Sequence, residues 1–492
     1  MQERTAQMSF RNGFTKQRMY AIMNQKYRQG DWRMEKNNLF EQSSIQKTYW
    51  TLALPVTLSM VLSVIYNVAD TYFIARTQNT SLVAAVSLCA PVFTLLMAFG
   101  NIFGQGGTSL ISRLFGKQDM NGTRRVSAFC FYAALAVGAF LGVIMLIFQQ
   151  PLLRLLGATD ETMSHARPYY VTMAAGAPLL VANFIHMNLL RAEGMSRESM
   201  LGSASGLLLN IILDPIFISV LGWGAFGAAF ASVLGYLFSD AILLTVVCRK
   251  SRILSVNPKL AAIPARDALQ IGAIGLSAAL TNIMSSVAVI VLNHFLLPYG
   301  NDQIAAMGIA QKVSMIILLV LTGLSFGAAP IVGYYYGAGR HEQLKALLRL
   351  LLRIVGGTAV TMTVVLFALA RPCIGVFLKD AALADTGVLM LRWYIATMVL
   401  AAAVMIITIC FQASGKAAEA LIASICRQGV IFFAVIAVMA RLAGYNGVLA
   451  AQAVTDVLTV ILLGALFLRR FYLPLGQSGE NGNRANPSRP GK

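Results

Sequence analysis

The chain has few charged residues, few histidines and no paired cysteines, and these shortages exclude several classes of protein. Charged side chains make up 12% of the 492 residues, about half of what soluble domains carry. The four histidines and six scattered cysteines form no C-x-x-C pair and no H-E-x-x-H zinc motif. A P-loop is missing too. The sequence therefore predicts no enzyme, no structural metal and no cofactor, and its thiols are expected to be buried and free.

Apolar sequence is what the chain has in abundance. Hydrophobic residues make up 57% of it, and the mean hydropathy is +0.68. A helix needs about 20 apolar residues to cross a bilayer core of ~30 Å. About twelve runs of that length lie near 48–75, 82–112, 125–149, 165–190, 198–220, 225–248, 268–297, 304–335, 347–370, 386–412, 418–441 and 446–468. They predict an all-α polytopic membrane protein with twelve transmembrane helices.

The formal net charge of +19 is distributed unevenly among the loops. Connections after the even-numbered runs carry Lys and Arg clusters such as "RLFGKQDMNGTRR", whereas "GWG" and "PYGNDQ" carry neither residue. By the positive-inside rule, this alternation predicts a multi-pass protein of the plasma (inner) membrane with both termini in the cytoplasm. A nucleic-acid-binding protein would instead collect its basic residues on one folded face, so no nucleic acid partner is expected.

An internal duplication sets the predicted domain organisation. Leu82–Gly116 aligns without a gap on Gln303–Gly337, at an offset of 337 − 116 = 221 residues. Two parallel six-helix lobes related by a pseudo-twofold axis along the membrane normal follow from this repeat. The predicted divisions are a basic cytoplasmic tail (1–45, whose start could be over-extended before Met34), an N-lobe (46–248), a cytoplasmic linker (249–267), a C-lobe (268–469) and a disordered C-terminal tail (470–492).

Polar residues inside the apolar runs are costly and therefore indicate function. In the first run, Asn67 and Asp70 lie one turn apart on one helix face. In the fifth run, Asn210 and Asp214 share a face, and Pro215 cannot donate a backbone hydrogen bond. Two carboxylates, an amide oxygen and freed carbonyls would form a hard-oxygen site for Na⁺ or for a shared proton.

Two further residues of the N-terminal half complete this hypothesis. Ser232, one turn beyond Ala228 in the sixth run, would add a hydroxyl to the cation site. Pro55 interrupts the hydrogen bonding of the first run and is predicted to be a point where that helix bends, as Pro215 does in the fifth run.

The C-terminal half does not repeat this polar set. Ile431 stands opposite Asn210, and the seventh and tenth runs have no acid in their interiors. Lys312 and Asp456 instead lie in the eighth and twelfth runs, where they could form an ion pair with either a structural or a transport role. Asp240 is assigned no role and is placed near the cytoplasmic boundary.

The chain resembles the multidrug and toxic compound extrusion (MATE) transporters over about residues 45–470. The resemblance rests on "PVTLSMVLSVIYNVADTYFIA", "LLRAEG", "LNIILDPIFI" and "GWGAFGAAFAS", in that order. It implies two lobes around a V-shaped cavity and export of cationic, lipophilic compounds in exchange for H⁺ or Na⁺. Because its seventh and tenth runs lack acidic residues, the sequence is similar to the DinF-like branch of the family.

The same resemblance implies which residues form the site. Its cation-binding residues match Asp70, Asn210, Asp214 and Ser232, surrounded by polar positions at Tyr66, Asn67 and Asn183. Ala228 is added to the predicted cation site, and Ser63 to the residues around it.

The predicted function is secondary active efflux by alternating access, and the coupling ion, H⁺ or Na⁺, stays open. The expected partners are small organic cations and the lipid bilayer, and the expected state is a monomer. The alternative is a lipid-linked saccharide flippase of the same superfamily, in which buried cations would have to hold a pyrophosphate.

Overall fold

The computed structural model describes residues 39–77, 79–378 and 380–475, which form helices and short connections without a β-strand. Most of both predicted tails lies outside the described residues. Of the N-terminal tail, a short helix, Leu39–Gln42, is described; it belongs to a separate unit, Met1–Ser43. The described residues from Ser44 onward form one compact unit that contains both lobes.

Helices of the N-terminal half follow the predicted apolar runs closely. The first three spans are Ile45–Arg76, Thr80–Gly116 and Met120–Ile147, and the fourth consists of Asp160–Ala175 and Ala177–Ala192. The fifth is Ser196–Pro215, extended by a π-helical turn, Ile216–Val220, and the sixth is Gly224–Arg249. A short helix, Gln149–Leu155, lies between the third and fourth spans.

The C-terminal half has the same order of helices. The seventh to tenth spans are Ala265–Leu296 (continued to Tyr299), Asn301–Phe326 with Ala329–Gly337, His341–Ala368, and Ala381–Ile395 with Met398–Ser414. The last segment comprises Ala417–Ile425, a π-helical turn Cys426–Val430, and Ile431–Phe467 with a final turn Leu468–Tyr472. The short helix Ala370–Gly375 corresponds to Gln149–Leu155.

Twelve spans result from these helices, as predicted. Ten segments of the described chain are long and apolar enough to cross a membrane, and the fourth span, bent by 51° at Gly176, is an eleventh. Ala417–Leu475 holds two of the twelve because its helix breaks at Gly444, where φ is 55° and ψ is −131°. Such a conformation favours glycine, since a side chain is strained at positive φ.

The predicted duplication is visible in the helix boundaries themselves. The second span ends at Gly116 and the eighth at Gly337, a separation of 337 − 116 = 221 residues. The fifth span begins at Ser196 and the eleventh at Ala417, which gives 417 − 196 = 221 again. The two halves are therefore copies of one six-helix unit.

The two lobes meet near one end of the helical bundle. This end, here called the basic end, carries the Lys- and Arg-rich connections that follow Gly116, Arg249 and Gly337. At Gly275 of the seventh span, the backbone approaches the carbonyl group of Ile102 on the second span so closely that a Cβ atom would overlap it. The ends of the second and eighth spans make similar backbone contacts at Gly116 and Gly337. Small residues permit this approach of helices from different lobes, which closes the basic end.

The linker between the lobes is pinned to the N-lobe by a residue of the LLRAEG motif. Glu193 accepts hydrogen bonds from the Ser251 hydroxyl at 2.5 Å and from the Arg252 backbone N–H at 2.8 Å. Burial raises the pKa of Glu193, although both of these bonds favour its ionised form. The motif therefore has a structural role in holding the linker at the basic end.

All six cysteines are free, as predicted. Three of them, Cys89, Cys130 and Cys410, are buried. The expectation of burial is wrong for Cys248, which is exposed on the apolar surface of the sixth span.

The close approach of the lobes leads to a stability prediction for Gly275. In the variant Gly275→Ala, the new methyl group overlaps the Ile102 carbonyl, and overpacking of this kind costs about 1–3 kcal/mol. We expect a lower thermal unfolding temperature in detergent and a more accessible basic end. Gly272→Ala, one turn away on the same helix, is the matched control because nothing lies within 4 Å of its added Cβ. Equal unfolding temperatures for the two variants would contradict the proposed contact.

Candidate functional site

The candidate site lies where the fifth and sixth spans approach most closely. A Cβ atom built on Gly206 would lie 2.5 Å from the Gly235 carbonyl oxygen, and one on Gly235 would lie 2.8 Å from the Gly206 oxygen. Any larger side chain at these two positions would push the helices apart. The glycines thus bring the polar residues one turn further along, Asn210 and Ser232, within hydrogen-bonding distance of each other.

Asn210 bridges the two spans and binds Asp214. With its amide oriented so that both ends find partners, the nitrogen donates to Asp214 Oδ2 at 3.0 Å. The amide oxygen accepts from the backbone N–H of Ser232 at 2.9 Å and from its hydroxyl at 3.2 Å. Asn210 and Ser232 are buried, and Asp214 is 0% exposed. The structure therefore brings together three of the residues predicted for the cation site.

Asp214 is incompletely satisfied in this environment. Its Oδ1 atom is buried and has no hydrogen-bond partner among the described residues, and no described Lys or Arg forms an ion pair with it. Pro215 follows directly and is succeeded by the π-helical turn Ile216–Val220. This turn confirms that the backbone hydrogen bonding is irregular beside Asp214, as the proline predicted.

Asp70 joins the cluster from the first span. It is half-buried, and its carboxylate interacts electrostatically with Asp214 and with three tyrosines, Tyr66, Tyr169 and Tyr236. The Tyr66 hydroxyl lies 3.5 Å from the Ser232 hydroxyl, which links the first span to the Asn210 network. Two carboxylates and several hydroxyls therefore share one pocket of the N-lobe without a described cation to balance them.

The remaining predicted residues of the N-lobe contribute less directly. The Ala228 methyl packs in an apolar cluster with Ile74 and Ile218, so only its carbonyl could contact a cation. The Ser63 hydroxyl donates to the Met60 carbonyl of its own helix at 2.7 Å. The first helix runs without interruption through Pro55, so the predicted bend there stays a prediction. The Asn67 side chain lies outside the described part of the chain.

Asn183 binds Asp240, although it was predicted to surround the Asp70 and Asp214 cluster. Its Nδ2 atom donates to the Asp240 carboxylate at 2.9 Å and to the Ser239 hydroxyl at 2.8 Å. Asp240 itself is only 5% exposed, nine residues before the helix ends at Arg249. That position is about 14 Å from the helix end at 1.5 Å per residue, so Asp240 is a residue of the lobe interior rather than of its boundary.

The predicted ion pair between Lys312 and Asp456 is wrong. Asp456 pairs instead with Arg427 of the eleventh span, whose Nε atom lies 2.9 Å from its Oδ1. It also accepts hydrogen bonds from Thr397 and Gln452, at 2.8 and 3.1 Å, which leaves the carboxylate well satisfied. Lys312 is exposed on the eighth span. A guanidinium on the neighbouring helix, with further donors around it, is a better partner than a more distant lysine.

The internal repeat contained a signal for this pair. Arg427 corresponds to Gly206, since 427 − 206 = 221, and Asp456 lies next to the equivalent of Gly235, Val457, since the sixth and twelfth spans align one residue later and 457 − 235 = 222. The two glycines touch in the N-lobe, so the equivalent C-lobe helices are expected to approach each other at the same place. Mapping the glycine contact through the repeat would have identified Arg427, which composition alone did not.

The chemistry of the N-lobe site is that of hard oxygen atoms. Its carboxylate, amide and hydroxyl oxygens suit a proton or an alkali cation, whereas transition metals prefer imidazole or thiolate ligands. No group of three or more His, Cys, Asp or Glu side chains in the described residues could hold a metal ion.

Two copies of a six-helix unit, one of them with buried carboxylates that lack an ion-pair partner among the described residues, are typical of membrane transporters. The model of the MatE family matches the chain twice, over residues 55–216 and 277–438, once in each lobe. The chain belongs to the MatE family of multidrug efflux transporters, and it is a transporter rather than an enzyme.

Characterised relatives agree with this assignment. The multidrug export protein MepA of Staphylococcus aureus (strain N315) is 31% identical over 423 residues, which cover 86% of this chain and 93% of MepA. MepA of Staphylococcus haemolyticus (strain JCSC1435) is 32% identical over 430 residues, covering 87% and 94%. The assignment to the DinF-like branch stays a prediction.

Solved structures share the fold. A MATE crystal structure in complex with MaL6 superposes with a TM-score of 0.83 at 24% identity, covering 90% of this chain and 99% of the other. A multidrug resistance MATE transporter in an outward-facing conformation gives a TM-score of 0.82, also at 24% identity, with coverage of 90% and 98%. The two-lobe, twelve-helix architecture is therefore that of this family.

The buried ion pair of the C-lobe leads to a stability prediction. Arg427→Met leaves the Asp456 carboxylate buried without its cation, which costs about 3–5 kcal/mol. The double variant Arg427→Met/Asp456→Asn removes both charges and should recover most of the loss. Thermal unfolding in detergent measures both effects. If the double variant were as unstable as the single one, the charge of Asp456 would not be the cause.

Proposed function

We propose that the protein exports small, lipophilic organic cations in exchange for H⁺ or Na⁺, and that the Asp70 and Asp214 cluster of the N-lobe couples the two fluxes. The observation that carries this proposal is the pair of neighbouring carboxylates with no described cation beside them. Negative charge in a membrane interior is costly unless a proton, an ion or a cationic substrate neutralises it. The names of the MepA relatives support drug export as the task.

Coupling follows from competition for the same negative charge. When Asp70 and Asp214 are ionised, they attract a cationic substrate; a proton or Na⁺ that binds there weakens this attraction. The incoming ion can therefore release the substrate on the outer side. An ion drives such a cycle only through its different affinities for the two conformations, as any coupled ligand must.

The closed basic end supports an alternating-access cycle. In the proposed orientation, the basic end faces the cytoplasm of the plasma membrane, together with both termini, because the Lys and Arg clusters lie there. The glycine contacts hold the lobes together on that side, which supports a cycle in which the cavity opens toward the outside while this side is closed. Opening the seam at Gly275 and Gly337 would give the opposite state. A monomer is sufficient for this cycle because each chain contains both lobes.

The flippase alternative is not favoured. A pyrophosphate requires unpaired cationic groups in the cavity. Arg427 lies in the C-lobe interior, but its guanidinium is bound to Asp456.

Reconstituted vesicles test the proposal with ethidium as the substrate. An acidic interior or an inward Na⁺ gradient is imposed separately, and ethidium uptake into inside-out vesicles is measured. We expect one gradient to drive uptake, and Asp70→Asn or Asp214→Asn to lower it by about tenfold or more, because each removes a charge that binds the coupling ion. Asp302→Asn, on an exposed helix start, is the matched control.

Two results would contradict the proposal. One is that neither gradient drives uptake in the wild-type protein. The other is that uptake persists in a correctly folded Asp214→Asn variant.

A further inference from the structure

Asp240 is a second buried carboxylate of the N-lobe, and the proposed coupling site does not include it. It is 5% exposed, and no described Lys or Arg forms an ion pair with it. One of its oxygens, Oδ1, accepts a hydrogen bond from Asn183 at 2.9 Å. The other, Oδ2, is buried and has no partner in the described residues. An ionised carboxylate in this setting is poorly compensated, whereas a protonated one would lose its charge.

The position of Asp240 connects it to the proposed coupling site. Ser232, Tyr236 and Asp240 follow one another at four-residue intervals and therefore lie on one face of the sixth span. Eight residues of helix place Asp240 about 12 Å from Ser232, on the side of the basic end. Tyr236, between them, interacts electrostatically with both Asp70 and Asp240. The face thus runs from the coupling site toward the basic end.

Titratable groups on the helices packed against the sixth span include His186 and Arg191 on the fourth span, Asp214 on the fifth and Asp70 on the first. Tyr236, on the same helix as Asp240, is coupled to it electrostatically. Burial and the hydrogen bond from Asn183 are the main influences on the protonation of Asp240.

The C-lobe forms the same six helices without this carboxylate. Through the repeat, Asn183 corresponds to Val404, since 404 − 183 = 221, and Asp240 corresponds to Leu462, since the sixth and twelfth spans align one residue later and 462 − 240 = 222. Val404 is buried whereas Leu462 is exposed, so no equivalent of the bond between Asn183 and Asp240 exists at these positions. The buried polar pair is therefore a feature of the N-lobe.

We propose that Asp240, held by Asn183, is a second proton-binding carboxylate through which the proton leaves the Asp70 and Asp214 cluster toward the basic end. This inference rests on the proposed function and deepens it by selecting H⁺ as the coupling ion. The proton passes from a cluster carboxyl group to the Asp240 carboxylate, which becomes neutral while the cluster becomes charged. When the basic end opens, Asp240 gives the proton to water.

The variant Asp240→Asn separates this role from a structural one. The amide oxygen can still accept the hydrogen bond from Asn183, but the side chain can no longer carry a proton. We expect ethidium uptake driven by an acidic vesicle interior to fall by about tenfold or more. Ethidium exchange at equal pH on both sides, which needs no net proton movement, should stay within about twofold of the wild type because the substrate site is intact. Asp240→Glu should restore driven uptake.

The control is Thr245→Ala on the same helix, where the hydroxyl only donates to the Ala241 carbonyl of its own helix. Its driven uptake should be unchanged. If Asp240→Asn fails to fold, Tyr236→Phe tests the same route, since it keeps the ring and removes the hydroxyl between the two sites; unchanged driven uptake in that variant would overturn the proposal.

Other outcomes distinguish this inference from the proposed function. Driven uptake that persists in Asp240→Asn overturns the inference alone, as does an equal loss of driven uptake and exchange, which would indicate a structural role. Wild-type uptake driven only by Na⁺ also overturns it while leaving the antiporter intact. Absence of wild-type uptake under both gradients contradicts the antiporter, and the inference with it.

Discussion

The hydrogen bonds of Asn210 are the interaction on which the N-lobe site depends. One amide joins the Asp214 carboxylate of the fifth span to the backbone and hydroxyl of Ser232 on the sixth. This bridge exists only because Gly206 and Gly235 let the two helices touch backbone to backbone. It satisfies one carboxylate oxygen and leaves the other without a partner. A buried amide with all its groups paired stabilises the helix pair, whereas the unsatisfied carboxylate oxygen keeps the site ready for a ligand.

The two lobes show how one fold can carry different chemistry. The fifth and sixth spans of the N-lobe touch through two glycines, whereas the equivalent helices of the C-lobe carry Arg427 and Asp456, which make a buried ion pair. The two charges of this pair balance each other, and the Asp456 carboxylate also accepts hydrogen bonds from Thr397 and Gln452. An interior charge of this kind is suited to a structural role. Buried carboxylates without an ion-pair partner among the described residues lie in the N-lobe, which is why the proposed coupling site is placed there.

Much of the fold could be predicted from the sequence because lipid imposes strong rules. Apolar length fixes the spans, and an offset of 221 residues between the halves fixes the lobes, as the boundaries at Gly116 and Gly337 confirm. The Asn210, Asp214 and Ser232 grouping was also predictable, since scarce polar residues in such spans must find one another.

The prediction of which polar side chains pair across different helices was less successful. Such pairs depend on how the helices pack, and the periodicity of the sequence does not indicate this packing. Lys312 and Asp456 were paired because both are charged residues within apolar runs, yet Arg427 is the partner. Likewise, Asn183 was grouped with the Asp214 cluster, but the bend of the fourth span at Gly176 and the packing of its second part on the sixth span set it beside Asp240. Both cases concern which of several neighbouring helices a polar side chain reaches; the Lys312 pairing is wrong, and the place of Asn183 around the cluster stays a prediction.

The central claim is that substrate and coupling ion compete for the same negative charge in the N-lobe. Equilibrium binding of ethidium to the purified protein, measured across a range of pH, tests this claim most directly. The account predicts that affinity falls as the solution is acidified, because protons neutralise Asp70 and Asp214. It also predicts that this dependence disappears in the double variant Asp70→Asn/Asp214→Asn. An ethidium affinity that depends on pH equally in the wild type and in the double variant would contradict it.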